Sequence, residues 1–183
     1  MWHLETKETL IETRPFSLER LAFRDKGTGK LVEQDMFRFV CPDWVNVLPV
    51  TREGEIVLIR QFRFGTLTNT LETPGGVVES AEKDTTVAAL RELEEETGYT
   101  TSRILSLGSL SPNPALQSNR IHMFVALDCA PKEPRTRFPD ALEQVVVERV
   151  PIAEVETLVR TGRIDSALCC LTIMLAKKYV AKL

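Results

Sequence analysis

Histidine and cysteine are scarce in this chain. There are two histidines and four cysteines among 183 residues. Cys41, Cys129, Cys169 and Cys170 form no CxxC pair, and His3 and His122 stand far apart, which excludes the usual tetrahedral zinc sites. Cys169 and Cys170 fall in an apolar run and are expected to be buried free thiols. Long hydrophobic runs are missing too, and the first 30 residues are dense in charge. Neither a signal peptide nor a membrane span is expected, and the reading points to the cytoplasm. An excess of basic charge is also absent. The formal net charge is −3, so a broad basic face for nucleic acid is excluded. A small phosphorylated ligand stays compatible, because it needs only a local cluster of cations and a metal.

What is present is ordinary for a globular protein: 43% hydrophobic and 27% charged residues, enough to bury a core without staples. The length predicts one main domain with room for a small extra one. Leu10 to Thr13, Leu18 to Arg24 and Leu31 to Phe39 read as short strands, the last two separated by the turn Asp25-Lys26-Gly27-Thr28-Gly29-Lys30. These predict an antiparallel subdomain over residues 1–41, followed by a main domain over 42–183.

In the main domain, Asp43 to Val50 and Glu55 to Phe62 flank Thr51-Arg52-Glu53-Gly54 and predict a hairpin. Thr66 to Thr70 reads as a loop. Leu105 to Leu110, Ile121 to Leu127 and Gln144 to Val150 are further strands. Helices are expected over Asp84 to Thr97, Glu154 to Arg160 and Ser166 to Lys182. Asp84 can cap the first of these, and Gly98 can end it. Strands with interspersed helices predict a mixed sheet covered on both faces, an α/β fold.

The chemistry concentrates in Gly75-Gly76-Val77-Val78-Glu79-Ser80-Ala81-Glu82 and Arg91-Glu92-Leu93-Glu94-Glu95-Glu96-Thr97-Gly98. At 100° per residue, Glu92, Glu95 and Glu96 share one narrow arc of the helix. Val87, Ala89, Leu90, Leu93 and Thr97 fall on the other side. Three carboxylates so placed repel one another, and a hard divalent cation relieves that repulsion by taking their oxygens as ligands. The glycine pair before the helix permits a close backbone approach, and its carbonyl is a further oxygen donor.

These residues resemble the signature GX5EX7REUXEEXGU of the Nudix hydrolases, in which U is a bulky aliphatic residue. Gly76 and Glu82 match its first half; Arg91, Glu92, Leu93, Glu95, Glu96 and Gly98 match its second. Tyr99 replaces an aliphatic residue. Eight residues, Lys83 to Leu90, separate Glu82 from Arg91 where the pattern has seven, and the extra one is expected in the loop before the helix. The resemblance implies a Nudix α/β/α sandwich. It implies Glu92 and Glu96 as ligands of Mg²⁺, with Mn²⁺ as the alternative ion. Glu95 is a third ligand or an outer group, and the Gly75 carbonyl a further ligand. Arg91 orients the acids by ion pairing.

Other features resemble the branch that cleaves ADP-ribose and nucleoside diphosphate sugars. Arg60-Gln61-Phe62-Arg63 ends a strand, and in that branch such arginines, Arg63 above all, reach the diphosphate. A guanidinium suits phosphate because it donates two parallel hydrogen bonds. The loop Pro112-Asn113-Pro114 stands where the branch shapes the sugar side; a rigid turn is the plainer account. Glu143 matches the loop glutamate that acts as catalytic base, with Glu95 as the alternative. The first 41 residues match a segment that mediates homodimerisation, to which Trp2, Phe16, Phe23 and Phe37 supply interface area, a stacking surface or ordinary packing. The expected substrate is therefore a small nucleoside diphosphate sugar. Two alternatives stay open: hydrolysis of nucleoside triphosphates, dinucleoside polyphosphates or RNA 5′ ends, and a Nudix-like sensor without catalysis.

Overall fold

A computed structural model of the chain describes residues 1–139 and 144–180. The chain divides into two compact units, residues 1–43 with 110–120, and residues 44–109 with 121–183.

The first unit is the antiparallel sheet β1 (Trp2–Glu12), β2 (Ser17–Asp25) and β3 (Met36–Val40), in that order. Strand β1 starts well before Leu10, in a stretch dense in charge. It is held to β2 by cross-strand ion pairs, Glu8 with Arg20 and Glu5 with Arg24. Opposite charges facing each other across a ladder stabilise it without any apolar alternation to reveal it. Residues 110–120 belong here as well. The Phe39 N–H donates to the Leu116 carbonyl at 2.7 Å, and the Ser118 N–H to the Phe39 carbonyl at 3.0 Å.

The second unit is built on β4 (Trp44–Thr51), β5 (Glu55–Arg63) and β10 (Ile121–Pro131), in the order β11-β5-β4-β10-β8, with β11 (Val145–Pro151) and β8 (Tyr99–Thr100) outermost on this path. Strand β6 (Thr68–Glu72) pairs with β5, β7 (Gly75–Val77) with β4, and β9 (Arg103–Leu110) with β10. The pair β4–β10 is parallel and its neighbours antiparallel, so the sheet is mixed. Gly54, at φ +80°, turns the β4–β5 hairpin, a conformation with no cost for a residue lacking Cβ.

Strand alternation supplies both faces. Val45, Val47, Phe124 and Ala126 pack under helix α1 (Thr85–Thr97) through Ala88, Ala89 and Leu93. Leu48, Val50 and Val125 point the other way, to α2 (Val155–Arg160) and α3 (Ala167–Ala176) through Val155, Leu158, Cys169 and Ile173. The architecture is the expected α/β/α sandwich. No helix among the described residues is long and apolar enough to cross a membrane.

Four local expectations are corrected. Val87 is half exposed, and Ala88 takes its place on the buried side of α1. Cys169 is buried but Cys170 only partly so; both thiols are free. The segment Thr66 to Thr70 is not simply a loop, since Thr68–Glu72 is strand β6. Its polar composition masked threonine's β-branched preference for the extended chain. Helix α3 ends at Ala176 rather than Lys182. There the chain tightens, with the Tyr179 N–H on the Ala176 carbonyl at 2.8 Å, and Val180 tucks into the core.

Candidate active site

Helix α1 begins and ends where the sequence sets it. The Asp84 carboxylate accepts from the Thr86 N–H at 2.9 Å, and Gly98, at φ +75°, closes the last turn with its N–H on the Glu94 carbonyl at 2.8 Å. The extra residue before Arg91 is absorbed without disturbing the helix. The Glu82 side chain folds back to Arg91, receiving Nε at 2.9 Å and Nη2 at 3.1 Å.

Arg91 organises the acids. Its Nη1 donates to Glu92 Oε1 and to Glu95 Oε2, both at 2.8 Å, and its Nη2 to the Val77 carbonyl at 2.8 Å. One guanidinium thus tempers the repulsion between glutamates on one face of the helix. Burial by itself would lower the basicity of Arg91, but Glu82, Glu92 and Glu95 more than offset it and hold the group charged. The Arg91 contacts hold Glu82 well below the usual carboxylate range, against the opposing effect of burial.

The glycine pair of β7 lies against two of these acids. The Gly75 N–H donates to Glu96 Oε2 at 2.7 Å. A Cβ on Gly76 would come within 2.3 Å of Glu92 Oε1, and one on Gly75 within 2.2 Å of the Val45 carbonyl oxygen. Gly75 and Gly76 also line a cavity of about 520 Å³, a size usual for small-ligand sites. Arg63 and Glu72 line it as well. Arg63 donates from Nε to Glu72 Oε1 at 2.9 Å and from Nη2 to Oε2 at 2.8 Å, and Thr70 donates to the same carboxylate at 2.5 Å. Burial pushes Glu72 up, but Arg63 and Thr70 bring it below the ordinary carboxylate range. Among the described residues, the remaining guanidinium donors of Arg63 have no side-chain partner besides Glu72, so they suit a ligand.

The donor set fits a hard divalent cation, since it offers carboxylate oxygens beside backbone too close-packed for a side chain. No three His, Cys, Asp or Glu side chains among the described residues form a ready-made metal cage. A Mg²⁺-type ion needs none, because it is held by one or two carboxylates together with substrate phosphates and water.

The predicted residues do not all meet. Arg63, Gly75, Glu92 and Glu96 come together around the glycine pair, with Glu95 on the same helix through Arg91. Arg60 lies three residues from Arg63 on β5 and therefore on the opposite face. Its Nε is on Glu148 Oε1 at 2.6 Å, and it is not among the cavity residues. Pro112, Asn113 and Pro114 lie in the first unit, where the Asn113 carbonyl accepts from Gln117 at 2.8 Å. Glu143 lies outside the described residues. The sequence reading missed Trp44, Asn46, Asp165 and Ser166, which also line the cavity. Asn46 left a signal, a lone amide in the apolar run of β4. It is buried, and its Oδ1 accepts from Thr73 Oγ1 at 2.6 Å.

Glu94, in the middle of the acidic run, does a different job. It is 4% exposed, accepts from Lys132 Nζ at 2.6 Å and from both the N–H and the hydroxyl of Thr136. Burial works to raise its pKa, yet these partners lower it to about 2. A folded value below the unfolded one stabilises the protein fully above pH 4.5 and loses that effect as pH falls toward 2. Glu94→Gln is expected to cost about 2 kcal/mol at neutral pH, the usual scale for a charged hydrogen bond. Urea melts in metal-free buffer should show the gap between native and variant closing as the pH is lowered through that range.

The description of the NUDIX domain matches residues 42–167 of this chain. The ADP-ribose pyrophosphatase of Bacillus subtilis (strain 168) is 33% identical over 139 residues, covering 76% of this chain and 73% of that protein. The chain belongs to the NUDIX family. The ADP compounds hydrolase NudE of Escherichia coli (strain K12) is 26% identical over 173 residues, covering 94% of this chain and 90% of that one. A crystal structure of an ADP compounds hydrolase superposes with a TM-score of 0.84 at 22% identity, over 100% of this chain and 97% of the other; the two share the fold. The protein is thus a Nudix hydrolase, of a family that works with a divalent metal ion. The glycine–acid assembly is the part of its structure that carries the family signature.

Proposed function

We propose that the protein hydrolyses the pyrophosphate bond of ADP-ribose or another nucleoside diphosphate sugar, giving a nucleoside monophosphate and a sugar phosphate. The observation that carries this reading is that the glycine pair Gly75 and Gly76, which Glu96 and Glu92 approach, lines the same cavity as Arg63. A bridging diphosphate needs acids to hold its cation and a guanidinium for its oxygens; here the acids pack against the glycine pair and Arg63 lines the cavity that the pair borders. The relatives named for ADP-ribose and ADP compounds support the choice of substrate class.

Glu92 and Glu96 would hold the ion, with Glu95 beside them and the Gly75 carbonyl as a further oxygen donor. A divalent ion there, Mg²⁺ or Mn²⁺ in its place, would supply charge neutralisation at the phosphates. Arg63, steadied by Glu72, binds the phosphate oxygens. A base must take a proton from the attacking water. Glu95 Oε2 already accepts from Arg91 at 2.8 Å, so Glu143 is the assignment. Glu143→Gln is expected to lower kcat by about 10²-fold or more with KM little changed, the usual scale of general-base catalysis. A change in KM alone places the base elsewhere.

We take residues 1–41 to be a dimerisation segment of a cytoplasmic homodimer and 42–183 the catalytic domain. Exposed Trp2, Ile11, Leu31 and Phe37 on the first unit support an interface there. The test of the function is a panel with Mg²⁺: ADP-ribose, GDP-mannose, UDP-glucose, diadenosine polyphosphates and nucleoside triphosphates, scored by the phosphorylated products. Release of a monophosphate and a sugar phosphate is the expected result. Preferential cleavage of triphosphates or dinucleoside polyphosphates overturns it.

A further inference from the structure

The cavity has two chemically different ends. Arg63, Thr70 and Glu72 make a charged end on β5 and β6, while Trp44, Val77 and Ile121 make an apolar one. The second is a continuous strip of sheet, since Trp44 on β4 pairs with Val77 of β7 on one side and Ile121 of β10 on the other. Gly75 and Gly76, where the acids approach, lie on the strand that ends this strip. Trp44 is the cavity's aromatic residue. It is half-buried, and its indole N–H has no protein partner among the described residues. A tryptophan held by core packing usually finds a partner for that donor within the protein.

We propose that Trp44 is the base-recognition residue, its indole face stacking on the nucleobase of the substrate while the diphosphate lies across Gly75 and Gly76 toward Arg63. The proposal rests on the nucleoside diphosphate reading above. Three observations support it. Ile121 and Val77 flank the ring through strand pairing, so it is held in place without losing freedom on binding. A flat apolar surface gives most to the one flat apolar part of a nucleoside diphosphate sugar. The charged end is already suited to phosphate, which leaves this wall for the base. Stacking is tolerant of base identity because every base has a π-face, so Trp44 sets affinity for nucleotides over other diphosphates more than a choice among bases.

The test uses the native chain and two variants. Trp44→Ala is expected to raise KM for ADP-ribose about 10- to 100-fold with kcat within about twofold, the scale of removing one base–aromatic stack. Trp44→Phe keeps a stacking ring and is expected to stay within a few-fold of native KM. The chain has two tryptophans, so emission gives a readout free of turnover. AMP in the presence of Mg²⁺ is expected to quench the native emission. Ribose 5-phosphate should not, and the AMP effect should vanish in Trp44→Phe, where Trp2 is the remaining tryptophan. Quenching that persists in Trp44→Phe, equal quenching by ribose 5-phosphate, or an unchanged KM in Trp44→Ala overturns the assignment. So does a fall in kcat and melting temperature in Trp44→Ala without a rise in KM, which marks a packing role. Failure of the native chain to cleave any nucleoside diphosphate sugar overturns the functional reading instead, and the two failures are told apart by that control.

Discussion

Replacing Glu96 by glutamine should reduce metal-dependent turnover by about 10³-fold or more, a loss of several kcal/mol of transition-state stabilisation. The fold should survive. Glu96 is buried at 6% exposure, and its Oε2 receives the Gly75 N–H at 2.7 Å. A glutamine keeps an oxygen for that hydrogen bond and nearly the same volume, while losing the negative charge that a divalent cation needs. The measurement pairs product release at saturating Mg²⁺ with a melting curve. Near-native turnover in a folded variant removes Glu96 from the metal site. A variant that melts far below the native chain shows that the carboxylate is needed for folding, and Glu92→Gln then carries the test.

The second large effect separates two adjacent glycines. Gly75→Ala brings Cβ to 2.2 Å from the Val45 carbonyl oxygen and 3.0 Å from Asn46 Cα, both backbone atoms. Backbone in the middle of a sheet cannot step aside, so β7 must leave β4. A loss of about 3 kcal/mol, near the upper end for overpacking, is expected. For a chain of this size that is a drop of roughly 10 °C in Tm. Gly76→Ala meets a side chain instead, the Glu92 carboxylate at 2.3 Å. That carboxylate is pinned by Arg91 at 2.8 Å, so it shifts only by giving up its place. The expected result is a smaller drop in Tm but about a 10²-fold loss in kcat, as for a catalytic group displaced by an ångström. Equal stability losses in the two variants contradict the distinction drawn from their neighbours.

The acidic run from Glu94 to Glu96 shows how similar side chains divide their work by position. Glu96 reaches the glycine strand, Glu95 reaches Arg91, and Glu94 turns to Lys132 and Thr136. Only the helical period separates them, and the period was readable. The partners of Glu94 were not, because Lys132 and Thr136 lie about forty residues along the chain.

Local chemistry is what the sequence by itself determined. The cap at Asp84, the stop at Gly98, the acids on one arc, the glycines before them and the alternation of β4 and β5 all act over a few residues, and their consequences survive any packing. Strand β1 escaped because cross-strand ion pairs hold it, and β6 because threonine-rich polar sequence resembles a loop. The tertiary structure alone decided which distant residues share a cavity: that Arg63 faces it while Arg60 turns to Glu148, that Trp44 and Asn46 line it, and that α3 closes one wall. Those outcomes depend on strand register and on which face of the sheet each element covers. Register couples residues tens of positions apart, and no local pattern encodes it.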